Sequence, residues 1–376
     1  MNRAAITRMR LRGMIRKESL QILRDPSSIA IAFVMPVILL LLFGYGVSLD
    51  SKHVHLAVVV EQADTNTASL TGAFAHSEYF IPTIYKNIQM AEQALMKHDV
   101  SGIVWLRNDF SSHLLTNANA SIGVFVNGVD ANQARITEGY IQGVWQVWLM
   151  GYARQRGHEL TLPVSLEPRI WFNPAVRSRN FLVPGLIAII MTLTGAMLTS
   201  MVVAREWERG TMEALMVTPT RIWEIIVGKL LPYFILGMGG MLLSVAMALW
   251  LFQVPLRGSF LTLIMVSSLY MMVALGMGLL ISTVARSQFV AGQVALVATF
   301  LPAFLLSGFI FQISSMPEVI QFITHLIPAR YFVAILHTVF NAGNIWPVIL
   351  SNCSALLLMM IFFLGVAKHK TRKRLE

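Results

Sequence analysis

The chain has 376 residues, 56% of them hydrophobic and 13% charged, with a formal net charge of +10. Soluble domains carry about 25% charged residues, so this balance excludes an ordinary soluble enzyme and points to a membrane protein. The positive charge is no nucleic-acid footprint, because Lys and Arg gather at the two ends and beside apolar runs; the lone Cys353 excludes an intrachain disulfide and a cysteine-built metal site.

Crossing a bilayer takes about 20 mostly apolar residues in a helix, the form that satisfies its own backbone where water is absent. The first such run, 28–49, follows a basic segment and imitates a signal peptide, but it is long and no small-residue cleavage site precedes Asp50. It reads as an uncleaved anchor. Residues 50–180 are too long and too mixed in polarity for a linker and read as a small α/β domain. Strands are expected at 55–60, 102–106, 122–126 and 166–171, and helices at 68–74, 88–97 and 131–155. Trp145 and Trp148 share one face of the last helix, where packing a core explains them better than stacking a ligand.

Five further spans fill 181–367: 181–204, 230–252, 260–285, 289–311 and 346–367. A cytoplasmic segment is expected at 205–229 and a basic tail at 368–376. Pro317 and Pro328 cut 312–345 into pieces too short to span, so two short helices on or dipping into the outer leaflet are expected, as an outer gate or as an interfacial cap. The fold class is therefore an α-helical integral membrane protein, with six transmembrane helices and an extracytoplasmic α/β domain inserted between the first and second.

Orientation follows from the flanking cations. Arg3, Arg8, Arg10, Arg12, Arg16, Lys17 and Arg24 precede the first span, Lys368, Lys370, Arg372, Lys373 and Arg374 follow the last, and Arg205, Arg209, Arg221, Lys229 and Arg286 lie on the same side. The opposite short loops hold only Arg257 and Arg330. Both termini are expected in the cytoplasm, in keeping with an even number of spans.

No phosphate loop, zinc-binding H-E-x-x-H or nucleophile elbow occurs. His325 and His337 lie apart in a proline-broken region and read as interfacial, so neither a catalytic nor a metal site is expected. The strongest feature begins where the second span meets the cytoplasm, as Val203-Ala204-Arg205-Glu206-Trp207-Glu208-Arg209-Gly210-Thr211-Met212-Glu213. Gly210 loosens the helix just past four charges, making a polar knuckle. Glu206 and Arg209, three apart, would form only a weak surface pair. Met212, Leu215, Met216 and Trp223 interleave apolar surface with Glu208, Glu213 and Glu224, as a docking element needs.

These residues, with Lys17-Glu18 and Ile22-Leu23-Arg24-Asp25-Pro26 before the first span, Trp171-Phe172-Asn173-Pro174 before the second, and Ile327-Pro328-Ala329-Arg330-Tyr331-Phe332, resemble the ABC-2 family of exporter permeases, in its bacterial inner-membrane form with a large periplasmic domain. The likeness covers essentially the whole chain. It implies a cytoplasmic amphipathic helix over 1–27 lying on the inner surface, with which the four-residue spacing of Arg8, Arg12 and Arg16 agrees. It implies a coupling helix that docks on a separate ATPase, a role carried to Arg205, Glu206, Glu208, Arg209, Gly210, Thr211 and Glu213. It further implies ATP and Mg on that partner with no cofactor on this chain, and a dimer with a second copy or a sister permease. A periplasmic membrane-fusion subunit is a further expected partner, and multidrug export is the family's commonest role.

Polar residues punctuate the second span at Thr192, Thr194, Thr199 and Ser200 and the fifth at Gln288, Gln293, Thr299 and Ser307. They should face protein or a cavity, as helix-to-helix hydrogen bonds or as a lining. Thr192, Thr199, Gln293 and Ser307 are the candidate translocation path, with Gln293 foremost. Neither helix carries an acid or base between its ends, which favours amphipathic or lipid-like cargo over bare ions. ATP-driven export is the leading reading. A mechanotransmission or receptor protein that moves no cargo is the alternative, and ion-coupled transport ranks last because the spans offer almost no ionisable residue.

Overall fold

The computed structural model describes residues 3–46, 53–97, 99–115, 121–128, 131–155, 177–211, 220–285 and 287–370. The chain forms two compact units, one of residues 1–47 with 170–376 and one of residues 48–169.

Among the described residues, the smaller unit holds a four-stranded sheet in the order β2-β1-β3-β4, with β1 Val54–Val60, β2 Phe80–Tyr85, β3 Gly102–Leu106 and β4 Gly123–Val126. β1 pairs in parallel with β2 and β3, whereas β4 runs antiparallel to β3. Parallel neighbours need crossovers, supplied by the helices Thr65–Ala75 and Ile88–Met96. Asp64 and Thr67 form a capping box at the start of the first, and Asn87 caps the second through the Met90 amide. β1 is buried on both faces: Leu56 and Val58 pack with Leu70, Phe74 and Trp148, while Ala57 and Val59 pack with Ala91 and Ile103. On the long helix Ala131–Gln155, Trp145 and Trp148 stack at 5.3 Å, and the Trp148 indole donates to Ser69 Oγ at 3.0 Å, so the pair is core. β2 was not among the expected strands. Pro82 cannot donate to a ladder, and β2 accommodates it by standing at the sheet edge. The strand expected at 166–171 lies outside the described residues.

Among the described residues of the larger unit, six helices are long and apolar enough to cross a membrane: Pro26–Gly46, Arg179–Glu208, Ile222–Trp250, Phe260–Val284, Gln288–Leu306 and Trp346–Lys370. The second is the hub, with 89% of its apolar stretch buried, against 28% for the first and fifth and 11% for the sixth. Small residues permit the close crossings around it: a Cβ on Gly195 would lie 2.6 Å from that of Ala274. π-turns interrupt the first span at Ala30–Val34 and the fifth at Leu296–Phe300.

Two span ends differ from the hydropathy reading in a way that matters for function. The second helix continues through Arg205 to Glu208, and the third starts at Ile222 and so contains Glu224 and Lys229. Between Thr324 and Pro328 the chain bends by 84°, joining the short helix Glu318–Thr324 to Pro328–Ala342. Val319 and Phe322 of the first limb are exposed, whereas Phe332, Val339 and Phe340 of the second are fully buried. Tyr270 of the fourth span stacks on Phe332 at 4.0 Å. His337, half-buried, stacks on Phe181 at 4.5 Å with both ring nitrogens buried.

Candidate functional site

The charges at the end of the second span do not project into solvent as a uniform knuckle. Residues along a helix are rotated by about 100° each, so Arg205 and Glu206 turn inward and are buried while Glu208, Arg209, Gly210 and Thr211 are exposed. The expected surface pair of Glu206 with Arg209 is replaced by a buried knot. Glu206 Oε1 accepts from Lys17 Nζ at 2.6 Å and from Lys229 Nζ at 3.0 Å, and Lys229 also donates to Glu18 Oε1 at 2.9 Å. The Thr211 hydroxyl donates to the other Glu206 oxygen. Four alternating charges thus fasten the N-terminal helix Arg3–Leu23 to the second and third spans. Lys229, Glu18 and Glu206 are buried and each needs an opposite charge, since an unpaired buried charge is strongly unfavourable, while Lys17 closes the knot from a half-exposed position.

A second junction adjoins the first. Arg205 donates to Asp25 Oδ2 at 2.7 Å and to Gln288 Oε1 at 3.1 Å, and the Gln288 backbone amide donates to Glu208 Oε1 at 2.8 Å. Asp25 also accepts from the Ser27 amide and the Ser28 hydroxyl, capping the first span. The inner end of the second span is therefore tied to the start of the first and of the fifth. Partial burial pushes the Asp25 carboxyl up, but the hydrogen bonds from Ser28 and Arg205 and the Arg205 charge outweigh it and hold the group below its ordinary value. A depressed carboxylate contributes stability that is complete above its unfolded value and is lost as pH falls through the lower, folded value. Acidification below the usual aspartate range should loosen this junction in the wild type, and Asp25→Asn should flatten that part of a pH scan of the melting temperature.

Sequence reasoning assigned Arg205 and Glu206 to docking and passed over Lys17, Glu18, Asp25, Lys229 and Gln288 as partners. One signal was available: Lys229 lies between Gly228 and Leu230, against an apolar run, where an unpaired cation is unfavourable. Glu213 lies outside the described residues.

The four candidate path residues do not converge within one chain. The Thr192 hydroxyl donates to Ala188 O at 2.8 Å and meets the Tyr270 hydroxyl. Thr199 donates to Gly195 O and, across to the fourth span, to Leu275 O at 2.9 Å. Both threonines make hydrogen bonds at the seam between the second and fourth spans. Ser307 is buried at the end of the fifth span, its Oγ accepting from the Phe309 amide at 3.3 Å. Gln293 is exposed instead, beside Val294, Val297 and Ala298, in a shallow groove of about 290 Å³ on the outer face of the fifth span. A cavity of about 230 Å³ does lie among the second, fourth and fifth spans and the bend, lined by Thr192, Met277, Thr299, Ala303 and Ile327 among others. Its two hydroxyls donate to carbonyls of their own helices, and most of the remaining lining is apolar. No group of His, Cys, Asp or Glu suited to a metal occurs among the described residues.

The model of the ABC-2 family of transporter proteins matches residues 26–367. The chain is 45% identical, over 98% of both chains, to the probable multidrug ABC transporter permease YbhS of Escherichia coli K12. It is 30% identical to the probable multidrug ABC transporter permease YbhR of the same organism, over 90% of this chain and 94% of that one. To the inner membrane transport permease YhhJ, also of that strain, it is 28% identical over 76% and 78% of the two chains. These relatives are named for transport and not for catalysis, and with the six apolar helices they indicate a multi-pass inner-membrane permease. The chain belongs to the ABC-2 family of transporter permeases.

Proposed function

We propose that this chain is the membrane-spanning subunit of an ATP-binding-cassette exporter, which moves amphipathic or hydrophobic compounds, drug-like or lipid-like, out of the cytoplasm or the inner membrane. A separate ATPase subunit supplies the energy and holds the ATP and Mg. The observation that carries the reading is the knot at Glu206. Exposed Glu208, Arg209, Gly210 and Thr211 sit within one helical turn of a buried ionic junction that grips the N-terminal helix and the first, third and fifth spans. A push on the exposed turn would reach four helices through short charged contacts. In this reading Arg205 and Glu206 transmit and Glu208 to Glu213 dock.

Both termini and the docking turn face the cytoplasm in this proposal, and the α/β unit faces the periplasm, where a membrane-fusion subunit could engage it. The route for cargo lies between two permease chains, a pair of identical copies or this chain with a sister permease, at the outer face bearing Gln293. That placement is supported by the seam within one chain, where Thr192 and Thr199 are already bonded, and by the apolar character of the one-chain cavity. A cargo with substantial apolar surface could enter that face from the bilayer.

The test uses the full permease reconstituted with its ATPase. Arg209→Glu reverses an exposed charge of the docking turn and spares both the knot and the contact of Glu208 with Gln288. Loss of coupling should lower cargo-stimulated ATP turnover by about tenfold or more, with the melting temperature of the permease unchanged. Wild-type turnover in this variant would remove the docking turn from the mechanism.

A further inference from the structure

Beside the knot, an open pocket of about 750 Å³ lies between the N-terminal helix, the start of the first span, the end of the second and the start of the fifth. Its lining carries five cations, Arg16, Lys17, Arg24, Arg205 and Arg209, against a single carboxylate, Asp25. Two of the cations are already engaged, Lys17 by Glu206 and Arg205 by Asp25. Among the described residues the guanidiniums of Arg16 and Arg24 have no ion-pair partner. The spacing is helical: Arg16, Leu20 and Arg24 recur every four residues on one wall, and Met201, Arg205 and Arg209 do so on the facing wall.

We infer that this pocket binds the phosphate headgroup of an anionic phospholipid. Arginine's planar fork suits phosphate oxygens, and basic pockets between helices at the inner face of a membrane are where multi-phosphate headgroups bind. Two features select a lipid over a soluble phosphate. The lining residues lie on the N-terminal helix, in the turn that joins it to the first span, and at or just past the ends of candidate spans, the level at which headgroups lie. Beside the pocket the outward faces of the first and fifth spans are apolar and exposed, through Ile29 and Val34 on one side and Phe289 and Val290 on the other, offering a bed for acyl chains. Arg16, Arg24 and Arg209 together exceed what the single charge of one phosphodiester would neutralise, so a two-phosphate lipid such as diphosphatidylglycerol should be held more tightly than a singly charged one. Bound there, the lipid would bridge the N-terminal helix to Arg209 of the docking turn. The site itself does not depend on the proposed ATPase coupling; only the choice of leaflet rests on the orientation given above.

The full-length chain in phosphatidylcholine nanodiscs would be titrated with diphosphatidylglycerol, with binding read by native mass spectrometry and by melting temperature. Wild type should bind and be stabilised. Arg16→Gln/Arg24→Gln should bind at least about tenfold more weakly, since each lost contact is a charge-assisted hydrogen bond. Arg8→Gln/Arg12→Gln removes the same charge from exposed positions of the same helix outside the pocket and should bind as wild type does. Equal weakening in both double variants would reduce the effect to diffuse surface charge and overturn the site, as would no binding by wild type. An equal melting shift from inorganic phosphate in pure phosphatidylcholine discs would overturn the lipid assignment.

Discussion

Lys229→Met should destabilise the permease by about 3–5 kcal/mol, the usual consequence of removing one partner from a buried ion pair. Lys229 is the hinge of the charge balance in the knot. It is 2% exposed and lies 2.9 Å from Glu18 and 3.0 Å from Glu206, both buried carboxylates. Methionine fills the volume but leaves those two acids to share Lys17, whose side chain is 49% exposed. One of them must take a proton or draw in water. A second substitution separates this electrostatic loss from simple misfitting. Adding Glu18→Gln to Lys229→Met leaves Lys17 and Glu206 as a lone pair at 2.6 Å and should recover part of the loss. A double-mutant cycle on the melting transition should give a coupling of about 0.5–3 kcal/mol, as expected of residues in one network. Additive losses would mean that the four charges do not act as a unit, and the transmission route argued from Glu206 would lose its mechanical basis.

The same knot explains where the sequence could be read and where it could not. The apolar runs are long enough to announce six spans, because lipid leaves a chain few alternatives. Hydropathy treats a charge as the end of a span, whereas here Glu206 and Lys229 are kept inside helices by partners 189 and 211 residues away, at Lys17 and Glu18. Lys229 beside an apolar run signals that a partner is needed, but pairing over such distances leaves no local trace of which residue it is. The split of roles between Glu206 and Glu208 was legible in principle, since two steps of about 100° put them on nearly opposite faces. Thr192 and Gln293 are equally plain polar interruptions in the sequence, yet one is bonded across a seam and the other exposed. Which face of a span meets another helix depends on neighbours that periodicity in an all-apolar helix cannot reveal. β2 escaped for the opposite reason: Pro82 is a local signal against a strand, overridden by its place at the edge of the sheet.

Gly278→Val tests whether the second and fourth spans move as one body. A Cβ at Gly278 would fall within clash distance of the Ala196 carbonyl oxygen and of Thr199 Oγ1. The backbone oxygen cannot swing away, and Thr199 is held by Gly195 and Leu275. The helices must therefore separate, at about 1–3 kcal/mol for overpacking and about 1 kcal/mol more if the Thr199 bond across the seam is lost. Gly365→Val is the matched control: Gly365 lies in the sixth span, where an added Cβ meets nothing within 4 Å, and its effect should stay within about 0.5 kcal/mol. Melting temperature and dye efflux from cells carrying the whole transporter would read the two variants. Gly278→Val should lower both while leaving the charge knot and the exposed turn at Glu208 chemically intact, because neither touches Gly278. A variant that melts early yet exports at the wild-type rate would show that the seam serves assembly alone; equal behaviour of the two valine variants would show that the spans are not in close contact.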